Sequence, residues 1–162
     1  MKRRRNYTEE SQKLAIAIEI AIEAFQLNWP QNLEPSHQEN FISCYAQWKA
    51  QCLNPPVAVK NLNALMHLEH DVFAYFQERT GAAVEYFWKK IKEHALDYRR
   101  ENKLEKILHR GKILGRVEFD YVNEMILIAE EIGFTSRQET RKLSELLQDY
   151  TKMQTNRRKR KF

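Results

Sequence analysis

Residues 8–27, Thr-Glu-Glu-Ser-Gln-Lys-Leu-Ala-Ile-Ala-Ile-Glu-Ile-Ala-Ile-Glu-Ala-Phe-Gln-Leu, hold neither glycine nor proline and set seven large apolar side chains among four alanines. Wound as a helix from about Thr8 to Leu27, the segment is apolar on almost every side. Only Glu19, Glu23 and Gln26, at i, i+4 and i+7, form a narrow polar stripe. Such a helix is a central core element or half of a subunit interface. The chain is therefore predicted to be all-α, a single compact bundle of five to six helices built around this segment.

The remaining apolar stretches repeat at helical spacing. Ser36 and Glu39, just after Pro35, have the spacing of a capping box, which predicts a second helix from His37 with Phe41, Ile42, Tyr45 and Trp48 inward. Asn54-Pro55-Pro56 stops it. Asn54 is then expected to cap a third helix, with Pro55 in its first turn, that runs to about Arg79 with Leu62, Leu65, Met66, Val72, Phe73 and Phe76 inward. After Thr80-Gly81 a long fourth helix is predicted over 82–109. Between Gly115 and Gly133 lies a fifth, with Val117, Tyr121, Val122 and Met125 inward and Phe134 packing back past the glycine. Ser136 and Glu139 open a sixth, carrying Leu143, Leu146, Leu147 and Tyr150. The expected division is a basic arm over 1–7, a helical domain over 8–152 and a basic tail over 153–162.

At 162 residues, with 43% hydrophobic residues, the chain has enough apolar surface for one buried core and too little length for two independent domains. Cys44 and Cys52 are its only cysteines. On one helix they sit about 12 Å apart along the axis, too far to bridge. No cysteine framework means a reducing compartment is expected, cytoplasmic, or nuclear in a eukaryotic host. The apolar run after the N-terminal cluster carries Glu19 and Glu23, so neither a signal peptide nor a membrane span is expected.

Charge is the sharpest functional signal. The formal net charge is +5, yet Lys2–Arg5 and Arg157–Lys161 together contribute nine bases and no acid. The sequence between them is left with 18 bases against 22 acids. Two cationic ends on an acidic body predict a polyanionic partner, because Lys and Arg neutralise phosphates wherever the chain reaches them. Against this stands the plain alternative that basic ends only solubilise.

Within the body, residues 89–116 hold ten bases against four acids. If the fourth helix is continuous, Lys89, Lys92, Arg99, Lys103, Lys106 and Arg110 form one stripe about 30 Å long. The competing expectation pairs these bases with Glu93, Asp97, Glu101 and Glu105 in a solvated lattice of ion pairs. The candidate nucleic-acid contacts are thus Arg3, Arg4, Arg5, Lys89, Lys92, Arg99, Lys103, Lys106, Arg110, Arg157, Arg158, Lys159, Arg160 and Lys161.

No catalytic motif competes with them. The sequence lacks a P-loop, a Gly-x-Ser-x-Gly elbow, a Rossmann glycine pattern and a His-Glu-x-x-His pair. His67, His70 and Asp71 fall on one helical face, but Lys60, Asn63 and Gln77 share it, so it reads as exterior and no metal or cofactor is predicted. Glu19 and Glu23 read as a solvated stripe rather than a carboxylate pair, and the two cysteines as structural. The expectation is a non-enzymatic accessory subunit that grips RNA or DNA backbone within a nucleoprotein assembly. The alternative is a helical adaptor or immunity-type inhibitor that presents a helical surface to another protein, with the apolar first helix also suited to a homo-oligomer.

Overall fold

The structure, a computed structural model, describes residues 4–161. Among them it is all-helical, with seven α-helices and no strand. They are α1 (Tyr7–Leu27), α2 (Gln38–Leu53), α3 (Leu62–Glu78), α4 (Ala82–Glu93), α5 (Lys103–Arg110), α6 (Arg116–Met125) and α7 (Arg137–Arg160). Short 3-10 turns at Pro35–His37 and Val57–Val59 precede α2 and α3.

The expected single core is divided between two compact units. The first holds the chain up to Gln77 together with Gly81–Arg100, and the second holds Glu78–Thr80 and everything from Glu101 on. In the first unit α1 is central and packs on α2 and α4. Asn6 caps it, its side-chain oxygen accepting from the amides of Thr8 and Glu9. Leu14, Ala17, Ile18, Ala21, Ala24 and Phe25 have no exposed surface. The buried face is narrower than the composition suggests, since Ile16 is 39% exposed and Leu27 63%.

Phe25 anchors an aromatic cluster. Its ring lies 5.3–5.9 Å from those of Trp29, Phe41, Tyr45, Tyr75 and Phe76, and Phe76 stacks on Phe87 of α4 at 3.9 Å. Edge-on and offset ring pairs of this kind add to the stabilisation from burial. The Tyr45 hydroxyl donates to the Val72 carbonyl at 2.8 Å and the Trp88 indole to that of Phe76 at 2.9 Å.

Two expected boundaries move. Pro35 starts a 3-10 turn, so Ser36 already lies within a turn rather than in the extended backbone an N-cap needs; its hydroxyl turns to Glu34 and α2 begins at Gln38. Asn54 closes α2 instead of opening α3. Asn61 takes the opening role, its side chain accepting from the Ala64 amide at 2.8 Å. In α3, Met66 faces out at 53% exposure and Leu68 is buried in its place.

The fourth correction bears on function, because the helix expected over 82–109 ends at Glu93. Ala95 adopts a left-handed conformation, φ 52°. The Leu96 amide reaches back to the Ile91 carbonyl and the Ala95 amide to that of Lys92, which is a Schellman termination with alanine where glycine usually stands. Leu96 then packs onto the first core.

The second unit has its own core, formed by Leu104, Ile107 and Leu108 of α5, Ile113 in the turn beyond it, Tyr121, Val122 and Met125 of α6, Ala129, and Leu143 and Leu146 of α7. Gly111, at φ 76°, ends α5. The helix expected to run on to Gly133 instead ends at Met125. The turns that follow it close at Gly133 with Schellman-type bonds, the Phe134 amide to the Ala129 carbonyl at 2.8 Å and that of Gly133 to Glu130 at 3.2 Å. The Ser136–Glu139 capping box is complete. Val117, expected inward, is 82% exposed near the start of α6.

Candidate nucleic-acid interface

The cations expected to lie on one helix do not share one. Lys89, Lys92 and Arg99 belong to the first unit and Lys103, Lys106 and Arg110 to the second, with the non-helical segment 94–102 between α4 and α5. A single stripe needs one unbroken helix, and the left-handed turn at Ala95 removes it. The expected ion-pair lattice along that helix is lost for the same reason. Lys90 and Glu93 still pair at 3.1 Å on α4, whereas Arg100 turns to Glu85 at 3.0 Å.

Several candidates are already held by acids. Arg110 makes a bidentate contact with Glu118, at 2.8 and 2.9 Å, the arrangement that satisfies a guanidinium most fully. Lys103 lies 3.9 Å from Glu78, with its ammonium 5.7 Å from the Tyr121 ring. Lys89, Lys92, Arg99 and Lys106 are exposed.

At the N-terminal end, Arg3 lies outside the described residues, and Arg4 is exposed. Arg5 folds back onto the first unit, 3.0 Å from Glu10 and 3.5 Å from Glu69. Its hydrogen bond to Glu10 strengthens its hold on its proton. Burial works against ionisation of Glu10, but Arg5 and Lys13 outweigh it and keep that carboxyl below the usual range. At Glu69 the balance reverses: burial dominates over the same two cations and its pKa is raised. Arg5 is thus a structural cation before it is a ligand-binding one.

The C-terminal end differs. Where a basic tail is expected from 153 onward, α7 continues to Arg160. Arginine, lysine, glutamine and methionine favour helix, and cations in the last turn oppose the negative end of the helix dipole. Leu143, Leu146, Leu147 and Tyr150 hold α7 to its unit, and Tyr150 stacks on Phe119 with centroids 5.0 Å apart. Beyond Tyr150 every described residue is exposed except the half-buried Gln154. Residues 151–161 carry six bases and no acid. Arg157, Arg158, Lys159, Arg160 and Lys161 are all exposed, and no carboxylate among the described residues pairs with them.

The other candidates bring no comparable grouping. His67, His70 and Asp71 are exposed, and among the described residues no group of three or more His, Cys, Asp and Glu side chains is placed to hold a metal ion. Glu19 is exposed and paired with Lys49. Buried Cys52 points its thiol to the Ser11 carbonyl at 3.4 Å, and its pKa is raised by burial. An open cleft of about 730 Å³ in the second unit is lined by charges of both signs, among them Lys103, Lys106, Glu118 and Asp120. Among the described residues no helix is long and apolar enough to cross a membrane. No protein-family model, curated protein or solved structure matches this chain.

Proposed function

We propose that this chain is a non-enzymatic nucleic-acid-binding protein that grips phosphate backbone, chiefly through the end of α7. The observation that carries the reading is the cationic cluster Arg157–Lys161 on an exposed helical extension, with which no carboxylate among the described residues pairs. Cations free of carboxylate partners release phosphate counterions without first breaking an ion pair. Arg4, Lys89, Lys92, Arg99 and Lys106 supply further exposed positive charge, whereas Arg5 and Arg110 contribute less because acids already hold them.

Binding to labelled DNA and RNA across a salt series tests this. Replacing Arg157–Lys161 with glutamine should lower affinity and flatten the log-affinity against log-salt slope by about 0.9 per lost duplex contact, or about 0.7 on a single strand. Substituting Arg99, Lys103 and Lys106 together should have the smaller effect. An intact protein that ignores both nucleic acids at low salt removes the reading.

One observation favours a protein partner as a second reading. Val117 and Leu127 are more than 80% exposed and Leu114 58%, leaving large apolar side chains of the second unit in water. On α1, most of the apolar surface is buried against α2 and α4, with Ile16 and Leu27 left exposed.

A further inference from the structure

We infer, resting on the reading of α7 as a phosphate-binding element, that its polyanion is B-form duplex DNA and that the last turns of the helix enter the major groove. Four consecutive cations, Arg157–Arg160, on a helix of 3.6 residues per turn, with Lys161 at its C-cap, place positive charge around the whole circumference, over about 6 Å of rise. A helix lying across a single strand uses cations on one side and turns the rest to water. Phosphates flank a helix on both sides only where it lies in a groove.

The dimensions agree. An α-helix with its side chains is about 10–12 Å across, and the major groove of B-DNA is about 12 Å wide and 8.5 Å deep. From Tyr150, stacked on Phe119, to Arg160 the helix rises about 15 Å, more than the depth of the groove. No acid lies along that length to repel the groove's phosphate rims.

The same features disfavour other polyanions. The major groove of A-form RNA is deep and too narrow for a helix. Single strands are held by aromatic side chains on which bases stack. Residues 151–161 contain no aromatic, and Tyr150 is occupied by Phe119.

The decisive variant keeps every charge and removes the helix. Asn156→Pro deletes an amide donor and sets its ring against the carbonyl of Lys152, breaking α7 just before the cations in a segment that is already exposed. The full-length parent and N156P are titrated against one random-sequence duplex DNA, the same sequence as duplex RNA, and the DNA single strand. The parent should bind duplex DNA most tightly, and N156P should lose that preference while melting like the parent. Equal or tighter binding of the parent to RNA or single strand overturns the groove inference and leaves the backbone-binding reading standing. Retention of the duplex-DNA preference by N156P overturns it too, since the cations then act as a charged string. Absence of binding to all three at low salt removes both the inference and the reading beneath it.

Discussion

Phe119 of α6 and Tyr150 of α7 stack with ring centroids 5.0 Å apart and planes 29° from parallel. This contact marks the point where α7 stops being a core helix and becomes an exposed one. On its N-terminal side Leu143 and Leu146 are buried, and on its C-terminal side only Gln154 is even half-buried. One helix thus joins a structural half to a cationic half.

Tyr150→Ala should accordingly cost the second unit about 1–2 kcal/mol, for a half-buried ring and its stacking partner. Amide exchange should quicken in α7 beyond Leu147. Urea unfolding with hydrogen exchange checks both; unchanged exchange there shows that the stack does not hold the helix.

Two terminations by the same motif make opposite predictions. Ala95, at φ 52°, bears the steric penalty of the left-handed region, so Ala95→Gly should stabilise the first unit by about 0.5–1 kcal/mol. Gly133, at φ 77°, has no atom within 4 Å of the point where an added Cβ would stand, so Gly133→Ala should destabilise the second unit by about 1 kcal/mol through backbone conformation alone. Thermal melts of the two variants should move in opposite directions. Movement in the same direction removes the conformational account.

These terminations also explain what could be read from residues alone. α1 was legible because its composition leaves few other faces to bury, and the Ser136–Glu139 box because its residue types are the ordinary ones for that role. Gly133 was legible as a left-handed turn, but not the end of α6 at Met125 before it. The break at Ala95 was not, since alanine is the strongest helix former and Leu104, Ile107 and Leu108 resume the apolar spacing of Val84, Phe87 and Ile91. Periodicity records which side of a helix is apolar, not which core it joins, so the division into two cores was hidden with the break. The cations at both ends were plain in the sequence. That Arg5 is held by Glu69, 64 residues away, was not, because pairing at such separation depends on the fold.

The Arg5 contacts carry a pH dependence. Burial raises the pKa of Glu69, so the native state keeps this proton to higher pH than the unfolded chain does. Its contribution to stability is therefore present below the unfolded pKa and lost as pH rises through the folded one. Glu10, with its pKa lowered, contributes in the opposite sense and loses its contribution on acidification. Glu69→Gln removes only the first contribution. The stability of this variant relative to the parent should be more favourable at about pH 7 than at about pH 4, measured by urea titration. A relative stability that improves on acidification shows that Arg5, not burial, governs Glu69.

Separate cores should respond separately to cavities. Phe25 is fully buried against five rings of the first unit, and Leu143 is fully buried in the second. Phe25→Ala should cost about 3–5 kcal/mol and Leu143→Ala about 2–5 kcal/mol. The chain supplies its own reporter, because Trp29, Trp48 and Trp88, its three tryptophans, all lie in the first unit. Tryptophan fluorescence therefore follows only that unit during urea unfolding, whereas far-ultraviolet circular dichroism follows the helices of both. Phe25→Ala should move the fluorescence transition to lower urea. Leu143→Ala should leave that transition in place and advance only part of the helical signal. If Leu143→Ala shifts the fluorescence midpoint as far as it shifts the helical one, the two cores unfold as one cooperative body and their thermodynamic separation is refuted.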